Sequence, residues 1–413
     1  MRKNSVWGRL LGVQQAVVEG VEYDEEAGEL LVRVRPRSRK QGRCGLCNRR
    51  SPREDSGAGR RRWRAMDVGT VRAYLEAEAP RVRCREHGIV VAAVPWARHG
   101  SRFTKQFEDQ VAWLATETSQ QTIAELLRIT WRSVGRIITR VIAENVAKED
   151  ALDGLVRIGI DEVSHRKGHK YLIVVYDHDR KRVVWAAPGR DSDTVAAFFD
   201  QLGPERCAAL REVSADGAEW IRNVVRERCP QAMLTLDPFH VISWATDALD
   251  EVRREVWNDA RRCKQKELAR GIKGARFALW KNPEDLTDNQ KLTLASIART
   301  NHRLYRAYLL KEQLRQVFKT GSKRKGLALL SAWLRWAARC RIPAFVKLSR
   351  TIRKHWDDIG VTLELGLTNA ALESANTKVR LLIRRAFGFH SAEAVIALIL
   401  LCLGGLRPPL PGR

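Results

Sequence analysis

No stretch of this sequence is apolar for long enough to cross a bilayer. The longest, residues 394–403, falls well short of the roughly 20 residues that a spanning helix needs. The opening Met1-Arg2-Lys3-Asn4-Ser5-Val6-Trp7-Gly8-Arg9 lacks the apolar core and small-residue cleavage site of a secretory signal. A cytoplasmic protein without membrane contact is therefore expected. Cysteine is sparse, at 8 in 413 residues, and too scattered for a disulfide framework; in a reducing compartment, clustered cysteines point to metal binding instead. No internal repeat or low-complexity tract stands out. Acidic charge is scarce as well: 48 Asp and Glu face 74 Lys and Arg, a net charge of +26. That excess fits a polyanion-binding surface, but charge alone fits an acidic protein or an anionic membrane as well as it fits DNA or RNA.

The few acids present are placed unusually. Asp161 follows the strand-like Val156-Arg157-Ile158-Gly159-Ile160, Asp216 follows Glu212-Val213-Ser214-Ala215, and Glu373 lies in Leu372-Glu373-Ser374-Ala375-Asn376. Phosphoryl transfer by paired metals needs hard oxygen ligands from separate elements, because cations about 3.5–4 Å apart must bind both the attacking and the leaving oxygen. In a strongly basic protein, such a site is expected to cut nucleic acid.

Cys44-Gly45-Leu46-Cys47 and Cys84-Arg85-Glu86-His87 form two chelating pairs, each with two intervening residues. A turn at each pair can place both side chains on one tetrahedral Zn²⁺ ion. A strand-like run, residues 71–77, leads into the second pair as a zinc ribbon requires, and residues 16–23 and 29–34 read as a hairpin around Gly28. Residues 121–140 then show helix, short turn and second helix, the order of a DNA-binding helix-turn-helix unit, with Ile129, Val134 and Ile137 facing the core. Arg132, Arg136 and Arg140, spaced by four, are expected on one exposed face of the second helix, facing DNA. Arg128 stands at the turn position where glycine is common.

From residue 155 the pattern alternates. Strands are expected at 156–163, 171–176, 182–187, 212–215 and 233–236, with helices near 194–202 and 219–228. That order is the order of an RNase H-like sheet. It puts Asp161 on the central first strand, Asp216 at the end of the neighbouring fourth, and Glu373 on a later helix whose apolar stripe is Leu372, Ala375, Val379 and Leu382. Glu162 falls on the opposite face from Asp161, and Asp177 and Asp179 read as hairpin-turn residues. Between residues 244 and 366 lies a basic helical insertion that includes Arg253-Arg254 and Lys323-Arg324-Lys325; its Trp333, Trp336 and Trp356 fit core packing better than base stacking.

Taken together, Cys44/Cys47/Cys84/His87, the 123–140 helical unit, Ile158-Gly159-Ile160-Asp161-Glu162, Leu236-Asp237-Pro238-Phe239-His240-Val241, Leu372-Glu373-Ser374-Ala375-Asn376 and Arg384-Arg385-Ala386-Phe387-Gly388-Phe389 resemble the DDE transposases of bacterial insertion sequences. The likeness is greatest to the family written ISL-three, and Ser374 departs from the glycine more frequent after the glutamate there. The resemblance implies metal-binding roles for Asp161, Asp216 and Glu373, and makes Asp237 and His240 the acid-x-x-His element that accompanies the triad. Asp237 also ends a strand, but the strand order favours Asp216 as the second acid, leaving Asp237 and His240 in a supporting role.

The expected fold is multidomain α/β: a β-rich zinc ribbon (residues 1–100), a helix-turn-helix unit (101–150), an RNase H-like core (151–243 and 367–403) split by the helical insertion (244–366), and a disordered tail (404–413). The implied activity is DNA transposition with Mg²⁺ or Mn²⁺, acting on double-stranded DNA at transposon ends and target, as a homodimer or higher oligomer at the nucleoid. A metal-dependent nuclease or resolvase, and a transposase-derived regulator, are the alternatives; the retained acids count against the regulator.

Overall fold

In the computed structural model, the described residues are 3–13, 15–166, 168–215, 218–365, 370–386 and 391–411. The chain forms two compact units, residues 1–150 with 382–413, and residues 151–381.

The first unit begins with α1 (Lys3–Leu10) and strands β1 (Ala16–Asp24), β2 (Glu29–Pro36), β3 (Arg53–Asp55), β4 (Arg60–Arg64), β5 (Arg72–Glu78), β6 (Arg81–Cys84) and β7 (Gly88–Val91). β1 and β2 pair as the expected hairpin, and two sheets result, with orders β1-β2-β5-β4 and β3-β6-β7. In β5 every second residue, Ala73, Leu75 and Ala77, is buried against Val32 and Trp63, the alternation of a strand with one face on a core. Helices α2 (Lys105–Glu117), α3 (Gln120–Leu127) and α4 (Trp131–Lys148) follow. Each starts on a hydroxyl cap: Thr104, Ser119 and Thr130 accept from the backbone N–H groups of Phe107, Thr122 and Ser133, satisfying donors that the first helical turn leaves unpaired.

In the second unit, β8 (Arg157–Arg166), β9 (Lys170–Asp177) and β10 (Arg182–Pro188) are joined by tight turns and run antiparallel. α5 (Ser192–Leu202), α6 (Pro204–Ala209), β11 (Glu212–Ala215), α7 (Glu219–Arg228) and β12 (Met233–Leu236) follow, and β11 and β12 are parallel to their neighbours. Helical connections are long enough for parallel pairing, which two-residue turns are not. The five-stranded order is β10-β9-β8-β11-β12, so β8 lies at the centre and β11 beside it. Leu172 to Val175 of β9 are all buried, as in a strand covered on both faces.

An all-helical body continues from β12: α8 (Pro238–Arg262), α9 (Lys266–Gly274), α10 (Arg276–Trp280), α11 (Asp288–Thr300), α12 (His302–Val317), α13 (Lys323–Arg339), α14 (Pro343–Lys354) and α15 (Trp356–Leu365). It begins at Pro238, earlier than expected, because Asp237 caps α8 directly at the end of β12. Trp333 is wholly buried in its core and its indole N–H donates to the Leu310 carbonyl at 2.8 Å, a packing role rather than a stacking one. Arg253 and Arg254 are drawn onto Asp250 and Lys323 onto Glu364, whereas Arg324 and Lys325 stay exposed.

α16 (Ala370–Arg385) and α17 (Ala392–Leu403) end the chain. Two expectations are corrected here. α17, placed by sequence with the catalytic core, instead buries Ala397, Leu398 and Leu401 among Phe107, Val111, Ile138 and Val141 of α2 and α4. The described part of the tail, residues 404–411, is packed rather than disordered: Leu406 joins the same core, Arg407 pairs with Glu117 and lies over the Trp113 ring, and Asn145 donates to the Leu406 carbonyl.

Candidate functional site

Asp161 sits on β8 opposite Val174 of β9, and the last register pair between β11 and β8 is Ala215 with Ile160. One carboxylate oxygen of Asp161 accepts from the Glu162 backbone N–H at 2.7 Å, and the other from the side-chain amide of Asn376 on α16. Asn376 is 1% exposed, and its Oδ1 is buried with no hydrogen-bond partner among the described residues. A buried amide oxygen with no donor is costly, and hard divalent cations coordinate such oxygens.

Gly159, two residues before Asp161 on the same face of β8, explains how α16 comes so close. A Cβ there would stand 2.9 Å from Leu372 Cδ2, 2.9 Å from His178 Nε2 and 3.1 Å from Ser214 Oγ. His178 and Ser214 are joined at 2.8 Å, and burial holds the His178 imidazole below its ordinary pKa, so the neutral form is favoured. Leu372, Ala375 and Val379 are buried, the apolar stripe expected for α16. Position 373 is on α16, one turn before Asn376 and so on the same side of the helix. The side chain of Glu373 lies outside the described residues, as does Asp216 entirely. Glu162, off this face as expected, pairs with Arg190 at 2.6 Å, and Asp177 Oδ1 accepts from the Asp179 and Arg180 backbone N–H groups in the β9–β10 turn. The contribution of Asn376 went unread in the sequence, where it was visible only as a polar neighbour of Glu373 on the helix.

Asp237 is buried at the N-cap of α8, accepting from the Phe239 N–H at 3.1 Å. His240 stands in the first turn of the same helix, its backbone N–H on the Asp237 carbonyl and its ring edge-on to Phe239.

The cysteine and histidine pairs converge. The ligand atoms of Cys44, Cys47, Cys84 and His87 all lie within 4.8 Å of one another. Cys47 and Cys84 sulfurs are 3.7 Å apart, Cys84 Sγ is 3.7 Å from His87 Nδ1, and Cys44 Sγ is 3.9 Å from it. Zn–S bonds of about 2.3 Å and Zn–N bonds of about 2.0–2.1 Å arranged tetrahedrally put ligand atoms roughly 3.5–3.8 Å apart, so the set fits zinc. Local backbone builds each half: Asn48 N–H closes a turn onto the Cys44 carbonyl with φ +59 at Asn48, and Cys84 faces Gly88, φ +65, at the tip of the β6–β7 hairpin. Backbone hydrogen bonding from Glu86, helped by the His87 side chain, holds the Cys84 thiol down at about 6, toward the thiolate that metal binding requires.

In the helix-turn-helix unit, Arg128 takes the left-handed conformation at φ +54 that a glycine would adopt without strain, closing α3 while its side chain pairs with Asp67. Arg132 and Arg136 are exposed on α4, and Arg132 lies over the Trp131 ring. Arg140 departs from the expectation that it shares their exposed face. It turns inward to Ser101 Oγ and to Glu108, a fully buried carboxylate that Arg98 also engages, and Arg98 further binds Asp109 and Glu144. A buried carboxylate is tolerable only when paired, and that requirement draws Arg140 off the surface.

Comparison with known proteins extends over the whole chain. A family model described as "Transposase" matches residues 158–399, one described as "Helix-turn-helix domain of transposase family ISL3" matches residues 92–142, and one described as "zinc-finger of transposase IS204/IS1001/IS1096/IS1165" matches residues 40–87. The chain is 51% identical over 437 aligned positions to the transposase for insertion sequence element IS1557 of Mycobacterium tuberculosis (strain ATCC 25618 / H37Rv), covering 100% of this chain and 98% of that protein. It is 24% identical over 384 positions to the transposase for insertion sequence element IS1001 of Bordetella parapertussis, covering 92% of this chain and 94% of the other.

Proposed function

The chain belongs to the ISL3 family of DDE transposases, and from that membership we propose how its residues divide the work of moving an insertion sequence. Asp161, Asp216 and Glu373 are the catalytic carboxylates of an RNase H-like core. The observation that carries this reading is the hydrogen bond from Asn376 to Asp161, which ties the polar face of α16, where position 373 lies, to the central strand. The sheet order supports it too: β11 neighbours β8, and Asp216 directly follows Ala215, the register partner of Ile160.

Magnesium or manganese held by these carboxylates would supply the Lewis acidity that activates first a water and then a 3′-hydroxyl, and that offsets charge on the leaving oxygen. Asp161 presents its carboxylate in an orientation fixed by the Asn376 amide and the Glu162 N–H. Asp237 and His240 play a supporting part, Asp237 by starting α8. Zinc at Cys44, Cys47, Cys84 and His87 holds the ribbon together. Arg132 and Arg136 meet DNA at the transposon ends, and exposed cations of the insertion hold phosphates of end and target DNA. Two ends must be brought together, so the protein works at the nucleoid as a dimer or larger assembly on double-stranded DNA.

The test is a plasmid carrying the element's ends. Wild-type protein with Mg²⁺ should cut at the ends and join them to a target. Asp161→Asn, Asp216→Asn and Glu373→Gln, each removing a charge with little change of shape, should abolish both steps while DNA affinity persists, since affinity rests on the basic surfaces. Cutting without joining would make the protein a nuclease or resolvase. An active Asp216→Asn protein beside a dead but folded Asp237→Asn protein would move the second acid to Asp237.

A further inference from the structure

Beside the zinc knuckle, within the first unit, a cleft of about 810 Å³ opens between the ribbon and the start of the helix-turn-helix unit. Its charge is one-sided. Lys40, Arg43, Arg61, Arg98, Lys105 and Arg140 line it against a single carboxylate, Glu144. The acid is already committed, to Arg98 and Lys148, and Arg98 and Arg140 are in turn consumed by Glu108, Asp109 and Glu144.

The other cations differ. Lys40, Arg61 and Lys105 pair with no carboxylate among the described residues, although elsewhere in this unit arginines are laced to acids: Arg33, Arg60 and Arg62 share Glu76, Arg81 holds Asp55 and Arg83 holds Glu54. Among the described residues Arg43 donates only to backbone carbonyls, those of Arg39 and Asn48, the latter closing the turn between the zinc ligands. Unpaired like charges gathered in a concave site repel one another and raise its positive potential, which is unfavourable until an anion enters.

One wall of the cleft is closely packed. Gly45, between the first two zinc ligands, lies so close to its neighbours that a Cβ would stand 2.4 Å from both the Val91 carbonyl oxygen and His99 Nδ1. The knuckle backbone therefore forms one side of the cleft, held by the same turn that carries Cys44 and Cys47. The volume falls in the range, roughly 300–1,000 Å³, that encloses drug-sized ligands. It admits a short sugar–phosphate segment and not a whole duplex, so a duplex could be held there only by the edge of its backbone.

We propose that this cleft is a second DNA contact, separate from the exposed face of α4, in which Lys40, Arg43, Arg61 and Lys105 grip the phosphodiester backbone of duplex DNA without reading its bases. The contact rests on the reading of the protein as a DNA transposase and adds to it a grip that is independent of sequence and shaped by the zinc site.

Backbone contacts release counterions, about 0.9 per phosphate neutralised on B-form DNA, and so set the slope of log affinity against log salt concentration. The full chain, loaded with zinc, is titrated onto random-sequence duplex at several salt concentrations. A Lys40→Gln/Lys105→Gln double variant should bind with a slope shallower by about 1.8, two phosphates' worth. Arg61→Gln alone should lose about 0.9, giving an independent reading, and Lys40→Arg/Lys105→Arg should restore the wild-type slope. The preference for end-sequence over random DNA should not change in any of them. An unchanged slope in folded, zinc-loaded Gln variants that still cut at the ends would overturn the cleft and leave the transposase reading standing. Wild-type protein that neither prefers end sequences nor cuts them would overturn both.

Discussion

At the scale of single residues, the site turns on a neutral side chain. Asn376 donates to Asp161 across 215 positions of sequence; in the metal-binding role proposed for Asp161, a partner that orients the carboxylate should matter by about 10–100-fold in metal affinity or activity. Asn376→Leu should therefore weaken Mn²⁺ binding, followed by electron paramagnetic resonance of the full chain, by about that factor; unaltered Mn²⁺ affinity in a folded variant would mean that Asn376 only packs. Asp237 makes a different case. As an N-cap it is worth about 1 kcal/mol, and asparagine caps as well as aspartate does. Asp237→Ala should lose about that much stability in urea unfolding while Asp237→Asn stays near wild type. Equal stability of the alanine variant would remove the capping role. The place of Asp161 on the central strand was legible in the sequence because a run of strand-forming residues leads into it. The partnership of Asn376 was not, because nothing local in a helix reveals what packs against it. Arg140 was misread for the same reason: its spacing of four from Arg136 defines a helix face, but the buried Glu108 that claims it comes from another helix.

Among the elements, the ribbon depends most on something other than its own packing. Two short turns supply its four metal ligands, and a small module of this kind takes much of its folding free energy from the ion. Purified protein should carry one zinc per chain, and a Cys44→Ser/Cys84→Ser variant should lose it; full occupancy in that variant, measured by elemental analysis, would refute the site. The knuckles, the β1–β2 hairpin and the β8–β12 strands could be read from sequence because spacing and alternation are local signals. α6 could not, being a short helix that Pro204 starts and only its neighbours stabilise. Nor could the destination of α17. Its run of apolar residues says that it is buried, but not beneath which partner, and the structure gives it to α2 and α4.

For the whole molecule, the roles proposed for Arg132 and Arg136 fall in the first unit and that of Asp161 in the second, so recognition and chemistry should be separable by substitution. Replacing Arg132 and Arg136 with Ala should cost affinity for end-sequence DNA more than for random duplex, since a bidentate base contact discriminates by roughly 1–3 kcal/mol. Gel-shift titrations on the two DNAs decide it: equal loss on both would mean phosphate contacts only, and no loss would free α4 of the role. The net charge of +26 was compatible with nucleic acid without singling it out, and it could not say where a partner binds, because most arginines of the ribbon are spent on neighbouring acids. The order in which the chain is made adds a further consequence. The core around Phe107 and Ile138 is completed by Ala397, Leu398, Leu401 and Leu406, which leave the ribosome only after the entire second unit has been synthesised. A nascent chain therefore carries its DNA-binding helices with one side of their core uncovered until translation has passed residue 406. A chain that stopped before that point would leave Phe107, Val111, Ile138 and Val141 without these apolar neighbours.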